Sequence, residues 1–388
     1  METLPAVVLA AGEGSRLRPL TEHRPKPMLP AATKPILARV FDELIEAGVT
    51  DITVVVGYGR NRVQSHFGPT YRNVPLSYVT QKKQLGSGDA LLAAADAIDT
   101  PCLVLNGDQL VDRRIIEDVI EAHEDGVATV GVTEHEAVSR YGGVLLEGAE
   151  VTALVERPRD DRAYSLNAGV YAVSERVFEA VRSTDLDAGE RSLIDALAGL
   201  VDDAMVRGVR SEGYWLDATF PWDLRWIAAE LLDLGVVEPA VADSATVHGS
   251  AVVHDSVVID EDVVVGPGAV VGPNVCLGAN TTVGANSVVE ESVLDADTRI
   301  GPNATVRHCV TGRGVEIGAG SNVVGGPGDV RVGDRIHEDE LLGAVIADRA
   351  VDDGGVTYEP ATVVGSNVHI HAGVTVRGTV SAQSEVVG

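Results

Sequence analysis

Hydrophobic positions follow two different patterns along the 388 residues of the chain. As far as about residue 230, short apolar runs alternate with segments whose apolar side chains recur at helical spacing. Residues 6–11 and 52–56 are apolar runs that predict buried strands, and residues 36–47 predict a helix that stops at Gly48. This alternation predicts an α/β domain with a mostly parallel sheet covered on both faces, and ligands at the carboxyl ends of its strands.

The second part of the chain has a strict period of six residues. The apolar residues at this spacing are Val241, Val247, Val253, Ile259, Val265, Val271, Leu277, Val283 and Val289. Neither an amphipathic helix nor an alternating strand produces this spacing. It is typical of a hexapeptide β-helix, in which each repeat forms one flat side of a coil. The pattern resembles that of left-handed parallel β-helix domains.

The six-residue period is interrupted twice. It slips at Asp295, and a glycine-rich stretch replaces it at about residues 325–342, where we expect a protruding loop. It resumes weakly after Gly343 and clearly at Val364. We therefore predict an α/β domain at residues 1–235 and a β-helix domain at residues 236–388. Because a coil has unpaired sides and a flat apolar face, we expect the β-helix to assemble a homo-oligomer, such as a trimer.

The composition is strongly acidic, with a formal net charge of −28. Lysine occurs only at positions 26, 34, 82 and 83, so arginine supplies most of the positive charge. Because 45% of the residues are hydrophobic, this excess indicates a folded protein with a strongly hydrated surface. Such a surface repels nucleic acid and anionic lipid, and neither is an expected partner. The hypothesis that we prefer is a halophile's cytoplasm.

Cysteine usage and hydropathy indicate a reducing compartment. Cys102, Cys276 and Cys309 have no metal-type spacing and are too few for a disulfide scaffold, so we expect buried thiols. No apolar stretch approaches membrane-spanning length. The N-terminal apolar run lacks a preceding basic region and leads into a glycine turn, so we interpret it as a strand and not a signal peptide. A soluble, cytoplasmic protein is the expectation.

The segment after the first strand carries the chemistry of a phosphate site. Residues 12–16 read Gly-Glu-Gly-Ser-Arg, and residues 25–27 read Pro-Lys-Pro. Glycine lets backbone amides approach an anion, Arg16 adds a planar donor fork, and Lys26 adds a mobile point charge, which together suit a triphosphate. A dinucleotide fingerprint is excluded because Leu17 stands at its third glycine. A P-loop is excluded because no Gly-Lys-Ser/Thr closes the turn.

These elements in this order resemble the sugar nucleotidyltransferases (nucleoside-diphosphate-sugar pyrophosphorylases), whose signature is Leu-Ala-Ala-Gly-x-Gly-Ser/Thr-Arg followed by Pro-Lys. The resemblance implies a Rossmann-like nucleotidyltransferase domain in which Arg16 and Lys26 are catalytic and grip the phosphates. Gln81 and the Leu-Gly-Ser at residues 85–87 resemble the element around the base in uridylyl- and thymidylyltransferases. The implied nucleotide-binding residues are Leu9, Ala10, Ala11, Gly12, Gly14, Ser15, Gln81, Gly86, Ser87 and Asp108.

Two further motifs resemble the family's metal-binding aspartates. Asn-Gly-Asp ends a predicted strand at Asp108, and Trp-Leu-Asp ends at Asp217. Mg²⁺ prefers few carboxylates together with phosphate oxygens and water, so two aspartates suffice, and Mg²⁺ is the cofactor that the resemblance implies.

The sugar-phosphate motifs also occur in the family's order. They imply that Gly142, Glu156, Arg157 and Asn167 bind the sugar phosphate. Arg157 stands where many relatives have lysine. Either activity is weakened, or the chain's general exchange of lysine for arginine has reached a site where a guanidinium still binds phosphate. The composition favours the second interpretation.

The resemblance implies attack by a sugar-1-phosphate oxygen on the α-phosphorus of a nucleoside triphosphate, which releases pyrophosphate. The Gln81 pattern favours UTP or dTTP, and glucose-1-phosphate is the default sugar.

A first alternative is a bifunctional N-acetylglucosamine-1-phosphate uridylyltransferase and glucosamine-1-phosphate acetyltransferase. Against it, Pro302 and Thr305 stand where the acetyltransferase histidine and tyrosine are expected, and Gly-Gly at residues 325–326 replaces the asparagine loop. A second is a regulatory subunit that binds nucleotide sugar without making it. Such subunits usually lose the Arg and Pro-Lys signature, which this chain keeps.

Overall fold

The computed structural model describes residues 4–186, 189–333 and 335–388, which form two compact units. The first unit comprises the residues up to Glu13, Arg24–Met28 and Ile36–Asp217. The second comprises Gly14–His23, Leu29–Pro35 and Ala218–Gly388. Residues 218–235, which the sequence pattern assigned to the α/β domain, thus belong to the second unit. The boundary at residue 235 stays a prediction.

Strands and helices as far as residue 233 are numbered along the chain. The strands are β1 (Ala6–Ala10), β2 (Pro30–Ala31), β3 (Lys34–Pro35), β4 (Ile52–Val56), β5 (Thr70–Tyr71), β6 (Val74–Thr80), β7 (Cys102–Asn106), β8 (Gln109–Val111), β9 (Ala128–Thr133), β10 (Gly142–Glu147), β11 (Glu150–Glu156), β12 (Ser165–Val173), β13 (Val206–Arg210) and β14 (Trp215–Asp217). The helices are α1 (Ile36–Glu46), α2 (Arg60–Phe67), α3 (Ser87–Ala93), α4 (Arg113–Glu121), α5 (Glu175–Ser183), α6 (Leu193–Ala198) and α7 (Asp223–Asp233).

The first unit is built on one large sheet with the order β10-β11-β13-β9-β12-β7-β1-β4-β6-β5. Its centre, from β7 to β6, is parallel. All five residues of β1 are buried because alternate side chains enter two separate cores. Val8 packs with residues of α1, α2 and α4, whereas Val7 packs with residues of α3, α5 and α6. The mostly parallel sheet with helices on both faces is confirmed, and β10–β12 add antiparallel strands that the sequence pattern did not predict.

The second unit contains three stacks of short parallel strands, consistent with a left-handed parallel β-helix. The first stack consists of Ala240–Val241, Val257–Ile259, Val275–Leu277, Ser292–Leu294, Val310–Thr311, Ala344–Ile346, Thr362–Val364 and Thr379–Val380. The second consists of Thr246–Val247, Val264–Val265, Thr282–Val283, Arg299–Ile300, Glu316–Ile317, Val351–Asp352, His369–Ile370 and Glu385–Val386. The third consists of Val252–Val253, Val270–Val271, Val288–Glu290, Thr305–Arg307, Asn322–Val323, Thr357–Tyr358 and Thr375–Val376.

The register of these stacks explains both the six-residue period and its interruptions. Val241 pairs with Ile259 and Ile259 with Leu277, so one coil takes three six-residue repeats. A strict period would pair Leu277 with Asp295, but Leu277 pairs with Leu294. The corner before that strand is one residue shorter, and this accounts for the slip in the period. The expected loop at residues 325–342 is an antiparallel hairpin of Pro327–Val332 and Arg335–Leu341.

The three cysteines are buried and free of disulfides, as the sequence predicts. Burial raises the pKa of the Cys102 and Cys309 thiols to about 12, which keeps them protonated and unreactive. Among the described residues, no helix combines the length and the apolar character that a membrane span requires.

Candidate active site

The central strands of the first unit end at one edge of the sheet. Leu9 of β1 pairs with Val55 on one side and with Asn106 on the other, so the carboxyl ends of β1, β4 and β7 lie side by side. The turn after β7 folds closely against β1, because the backbone N–H of Gly107 donates to the Leu9 carbonyl at 2.9 Å. A Cβ at Gly107 would lie 2.8 Å from a Val8 methyl, so this turn requires glycine. Asp108 follows at this edge.

Asp108 and Asp217 come together through the pairing of two short strands. β14 runs antiparallel to β8, and Asp217 is the partner of Gln109, the residue after Asp108. Both carboxylates contact one ammonium group: Lys26 Nζ lies 2.6 Å from Asp217 Oδ1 and 3.1 Å from Asp108 Oδ2. The structure thus unites three predicted site residues from distant parts of the sequence.

The electrostatics of this cluster are set by burial and by the two carboxylates. Burial alone would lower the pKa of Lys26, but the charges of Asp108 and Asp217 and their hydrogen bonds outweigh burial and raise it. The ammonium therefore stays charged at neutral pH. Two carboxylates that converge on a single cation also provide the hard oxygen donors that a divalent ion such as Mg²⁺ prefers, so the donor set fits the implied cofactor.

Beside this edge lies an open cleft of about 730 Å³. Its lining residues come from the turn after β1, from the end of β6, and from the segments that follow β4 and β6: Glu13, Gly57, Tyr58, Gly59, Arg60, Asn61, Arg62, Thr80, Gln81, Lys82 and Gln84. Gln81 is buried and donates from Nε2 to the Gly86 carbonyl at 3.0 Å and to Asp89 Oδ2 at 3.1 Å. With its amide hydrogens so directed, the Gln81 side chain is held in one orientation at the cleft wall.

The sequence predicts that Gly86 and Ser87 lie near the nucleobase of the bound nucleotide. In the structure, both residues also hold the loop to which they belong in place. Gly86 has φ 95°, and a Cβ there would lie 2.4 Å from the Arg191 carbonyl oxygen. The Ser87 hydroxyl accepts a hydrogen bond from the backbone N–H of Leu193 at 3.0 Å. The loop is therefore anchored to residues 191–193 at the start of α6, and a role of these two residues in nucleotide binding stays a prediction.

The predicted sugar-phosphate residues lie on neighbouring strands. Gly142 of β10 pairs with Glu156 of β11, and a Cβ on Gly142 would lie 3.4 Å from Asn167 Cβ on β12. Arg157 follows Glu156 directly, and its backbone N–H donates to the Tyr141 carbonyl at 2.7 Å. The structure therefore brings Gly142, Glu156 and Asn167 together, with Arg157 next to them along the chain.

Asn167 has a structural role that the sequence did not reveal. Its Nδ2 donates to the Tyr171 hydroxyl at 2.9 Å, and its Oδ1 accepts from the backbone N–H of Gly169 at 3.1 Å. These bonds stabilise an irregularity in the pairing of β12 with β9, where Gly169 has φ 70°. A side-chain amide has two hydrogens and two lone pairs, so Asn167 keeps one of each for a ligand.

The phosphate turn is divided between the two units. Leu9, Ala10, Ala11 and Gly12 belong to the first unit, whereas Gly14, Ser15 and Arg16 belong to the second. Within the second unit, Gly14 has φ 69° and precedes a short 3₁₀ helix, Ser15–Leu17. The Thr21 hydroxyl donates to the Gly14 carbonyl at 2.8 Å, which holds this turn, and Arg16 is exposed.

Sequence reasoning missed two groups of residues near the site. Tyr58, Arg60, Asn61 and Arg62 line the cleft. The position of this segment, directly after the carboxyl end of a predicted strand, was the signal that could have found it. The second is His135, which packs against Tyr141 and Trp215 of the predicted motifs in an aromatic cluster, in which the Tyr141 and Trp215 rings lie 4.8 Å apart. His135 carries no signal in the sequence, since it joins the cluster only through the tertiary fold.

Comparison with family models divides the chain in two. Residues 5–231 match the model described as nucleotidyl transferase, and residues 253–387 match the model described as GMPPB C-terminal domain.

Similar proteins extend this comparison. The chain is 36% identical over 231 residues to the bifunctional protein GlmU of Methanocaldococcus jannaschii, with 59% of this chain and 54% of the relative covered. It is 34% identical over 224 residues to the UTP–glucose-1-phosphate uridylyltransferase AglF of Haloferax volcanii, with 56% and 92% covered. The chain therefore spans about half the length of the GlmU relatives that it matches.

A solved structure confirms the predicted fold class of the α/β domain. The crystal structure of a protein from Bacillus anthracis, named as a glucose-1-phosphate thymidylyltransferase in complex with a sucrose, superposes with a TM-score of 0.53. It is 23% identical in sequence, and the alignment covers 57% of this chain and 93% of that one. At this identity the likeness shows the fold alone.

Proposed function

Because the chain belongs to the nucleotidyl transferase family, we propose that it joins a sugar-1-phosphate to a nucleoside triphosphate, giving a nucleoside-diphosphate sugar and pyrophosphate. The observation that carries this proposal is the convergence of Lys26, Asp108 and Asp217 on one point at the carboxyl edge of the sheet. A nucleotide-sized cleft and the group of Gly142, Glu156 and Asn167 belong to the same unit. One unit therefore offers groups for both substrates.

The chemistry requires little proton transfer, because the phosphate oxygen of the sugar is already an anion at neutral pH. Catalysis then consists of in-line positioning and neutralisation of charge. Lys26, which stays protonated, would exchange a carboxylate contact for a phosphate oxygen, and Arg16 would bind the departing pyrophosphate with its donor fork. Arg157 would hold the sugar phosphate. Mg²⁺ bound by Asp108 and Asp217 would supply further charge neutralisation at the reacting phosphates.

For the base, we propose a pyrimidine, so that UTP or dTTP is the nucleotide. Gln81 directs its amide hydrogens to Gly86 and Asp89, which leaves its carbonyl oxygen to accept a hydrogen bond from the base. An N–H at the pairing edge of uracil or thymine would be such a donor. For the sugar phosphate, we propose glucose-1-phosphate, since the relative from Haloferax volcanii is named for UTP and that sugar phosphate.

A bifunctional enzyme is the second candidate, because the relatives from methanogens carry the name bifunctional protein GlmU. It would also transfer an acetyl group to glucosamine-1-phosphate in the β-helix. This chain has Pro302 and Thr305 where that activity is expected to need histidine and tyrosine. An acetyl-CoA assay with glucosamine-1-phosphate distinguishes the two, and we expect no acetyl transfer. A non-catalytic subunit is disfavoured because Arg16, Lys26 and both aspartates are present.

We further propose that the β-helix assembles a homo-oligomer, a trimer in the arrangement that we prefer, and that the net charge of −28 adapts the protein to high salt in the cytoplasm. Light scattering coupled to size-exclusion chromatography tests the first proposal. Unfolding temperatures measured against KCl concentration test the second, and full stability and activity without salt would reject it.

The experiment that tests the proposed activity is a pyrophosphate-release assay. UTP, dTTP, GTP, ATP and CTP are combined with several sugar-1-phosphates, with and without Mg²⁺. We expect turnover with UTP or dTTP and glucose-1-phosphate, and a loss of about a hundredfold or more in Asp217→Asn. Glu117→Gln, which alters an exposed carboxylate on α4, is the matched control and keeps full activity. Absence of turnover with every pair would refute the proposal.

A further inference from the structure

A group of imidazoles and carboxylates lies on the outer surface of the β-helix, at residues 353–385. His369–Ile370 forms one strand of the second stack, and Ile370 is fully buried. Because alternate residues of a strand point to opposite faces, the residues on either side of Ile370, namely His369 and His371, both point outward. Two histidines are thus placed on one face of one strand.

The neighbouring coils place carboxylates beside these histidines. Asp352 pairs with Ile370, so the residue after it, Asp353, lies beside His371 on the coil before. Glu385 pairs with His369 on the coil after. Parallel strands are spaced about 4.7–4.9 Å apart, which is close enough for side chains of adjacent coils to meet. Three successive coils therefore contribute to one surface group.

The contacts within the group connect all three coils, and two of them are of hydrogen-bond length. His369 Nε2 lies 2.9 Å from Asp353 Oδ1, and His371 Nδ1 lies 3.8 Å from Asp353 Oδ2. His371 Nε2 contacts Glu385 Oε1 at 2.5 Å, and the two imidazole rings stack with centroids 5.0 Å apart. One ligand atom from each of His369, His371 and Glu385 lies within 4.8 Å of the other two.

This arrangement differs from that of other exposed histidines in the same unit. His248 and His254 each contact the serine two residues further on, through Nδ1 at 2.9 Å and 3.0 Å. Such local contacts are what a solvated histidine at a corner of the coil is expected to make. His369 and His371 instead share the Asp353 carboxylate of another coil, and His371 also contacts Glu385. Among the described residues, one group of three or more histidine, cysteine or acidic side chains has the geometry to hold a metal ion, and it consists of His369, His371 and Glu385.

We propose that His369, His371 and Glu385 bind a divalent transition-metal ion of the zinc class, and that Asp353 positions the two imidazole rings. Zinc accepts imidazole nitrogen and carboxylate oxygen at about 2.0–2.2 Å, so the exposed His369 and Glu385 and the half-buried His371 need only small rotations to close around an ion. The mixed nitrogen and oxygen donors select against Mg²⁺ and Ca²⁺, which take oxygen ligands. Asp353 acts as the outer carboxylate that orients the metal-bound rings.

The proposed site has a structural consequence for the stacking of these coils. Glu385 lies on the Glu385–Val386 strand, which pairs with a neighbouring strand on one side, at His369–Ile370. An ion that joins Glu385 to both histidines would cross-link this strand to the coil before it. Because the ion binds only when the coils are stacked, its binding free energy adds to the stability of the folded coil.

The test uses the full chain, freed of metal with a chelator and titrated with zinc chloride at neutral pH in the presence of Mg²⁺. We expect wild type to bind one more equivalent of zinc than the double variant His369→Ala/His371→Ala. The matched control His248→Ala/His254→Ala removes two exposed histidines from the same unit and binds as wild type. Asp353→Asn keeps the stoichiometry and lowers the affinity about 10- to 100-fold.

Two further readouts separate metal binding from an effect of the substitutions on folding. Cobalt(II) in place of zinc gives a visible absorption spectrum for wild type and the control, and this spectrum is absent from the double variant. Zinc also raises the unfolding temperature of wild type and the control, and leaves that of the double variant unchanged. Equal zinc stoichiometry, affinity and thermal shift in wild type and the double variant would overturn the proposal. Wild type that binds no additional zinc would overturn it as well.

Discussion

Replacing Lys26 by methionine tests the charge cluster at the sheet edge most fully. Methionine has a similar length but carries no charge, so Lys26→Met leaves the carboxylates of Asp108 and Asp217 together without their cation. The side chains of Lys26 and Asp217 are 9% and 6% exposed, whereas that of Asp108 is 38% exposed. The contact with Asp217 is therefore buried, and the contact with Asp108 is partly screened by water.

The expected loss of stability follows from these exposures. Removing one partner of a buried ion pair costs about 3–5 kcal/mol, because the remaining charge is left uncompensated in the interior. Losing the partly exposed contact with Asp108 adds at most about 1 kcal/mol to this loss of stability. Turnover should fall about a hundredfold or more, since a group that neutralises charge in the transition state is lost.

Magnesium should restore part of that stability. In wild type, the ammonium competes with Mg²⁺ for the same two carboxylates, whereas in Lys26→Met they are open to the ion. At a concentration a hundred times its dissociation constant, Mg²⁺ would raise the free energy of unfolding of the variant by about 2.7 kcal/mol. Wild type should gain less at the same concentration. The structure thus predicts that Mg²⁺ stabilises the inactive variant more than the active enzyme.

The assay combines pyrophosphate release with thermal unfolding across a series of Mg²⁺ concentrations. Lys34→Met, a change at an exposed lysine, serves as the control and should match wild type in both measurements. Turnover of Lys26→Met near the wild-type rate would refute the catalytic role of Lys26. An equal response of both proteins to Mg²⁺ would refute the competition between ammonium and metal at Asp108 and Asp217.

Substitutions at three further positions test other parts of the structure. Gly86→Ala places a Cβ 2.4 Å from the Arg191 carbonyl at a left-handed φ, so we expect a loss of about 1–3 kcal/mol in the first unit, measured by urea unfolding. Tyr358→Phe removes the hydroxyl that donates to Asp352 at 2.8 Å inside the β-helix, so the second unit should lose about 1.5–3 kcal/mol while turnover stays unchanged. Arg157→Lys should keep turnover within about tenfold of wild type, because an ammonium also binds phosphate, whereas Arg157→Met should raise the KM for the sugar phosphate about 10- to 100-fold. A KM for Arg157→Met equal to that of wild type would place the sugar phosphate elsewhere.

The β-helix could be predicted because most of its core residues recur at a fixed spacing that neither an amphipathic helix nor an alternating strand produces. Ile259, Val265 and Leu277 are all buried at the positions that the period predicts. Even the slip at Asp295 was visible, since a one-residue shortening moves every later core position. What the period could not show is the hairpin of residues 327–341, whose strands pair with each other and do not follow the coil.

The sequence predicts a set of candidate site residues but not their geometry. The motifs identified Lys26, Asp108 and Asp217, yet the contacts among them depend on the pairing of β8 with β14. These strands are three residues long, too short to show a periodic pattern, so their register could not be read from the sequence. For the same reason, the internal hydrogen bonds of Asn167 depend on an irregularity in sheet pairing that no local sequence signal encodes.

The most direct measurement of the central claim is a crystal structure of the protein with UTP and Mg²⁺. We expect the triphosphate to contact Lys26 and Arg16, the ion to lie on Asp108 and Asp217, and the base to lie against Gln81 in the cleft. A nucleotide bound elsewhere, with Lys26 still held between the two aspartates, would contradict the proposed active site.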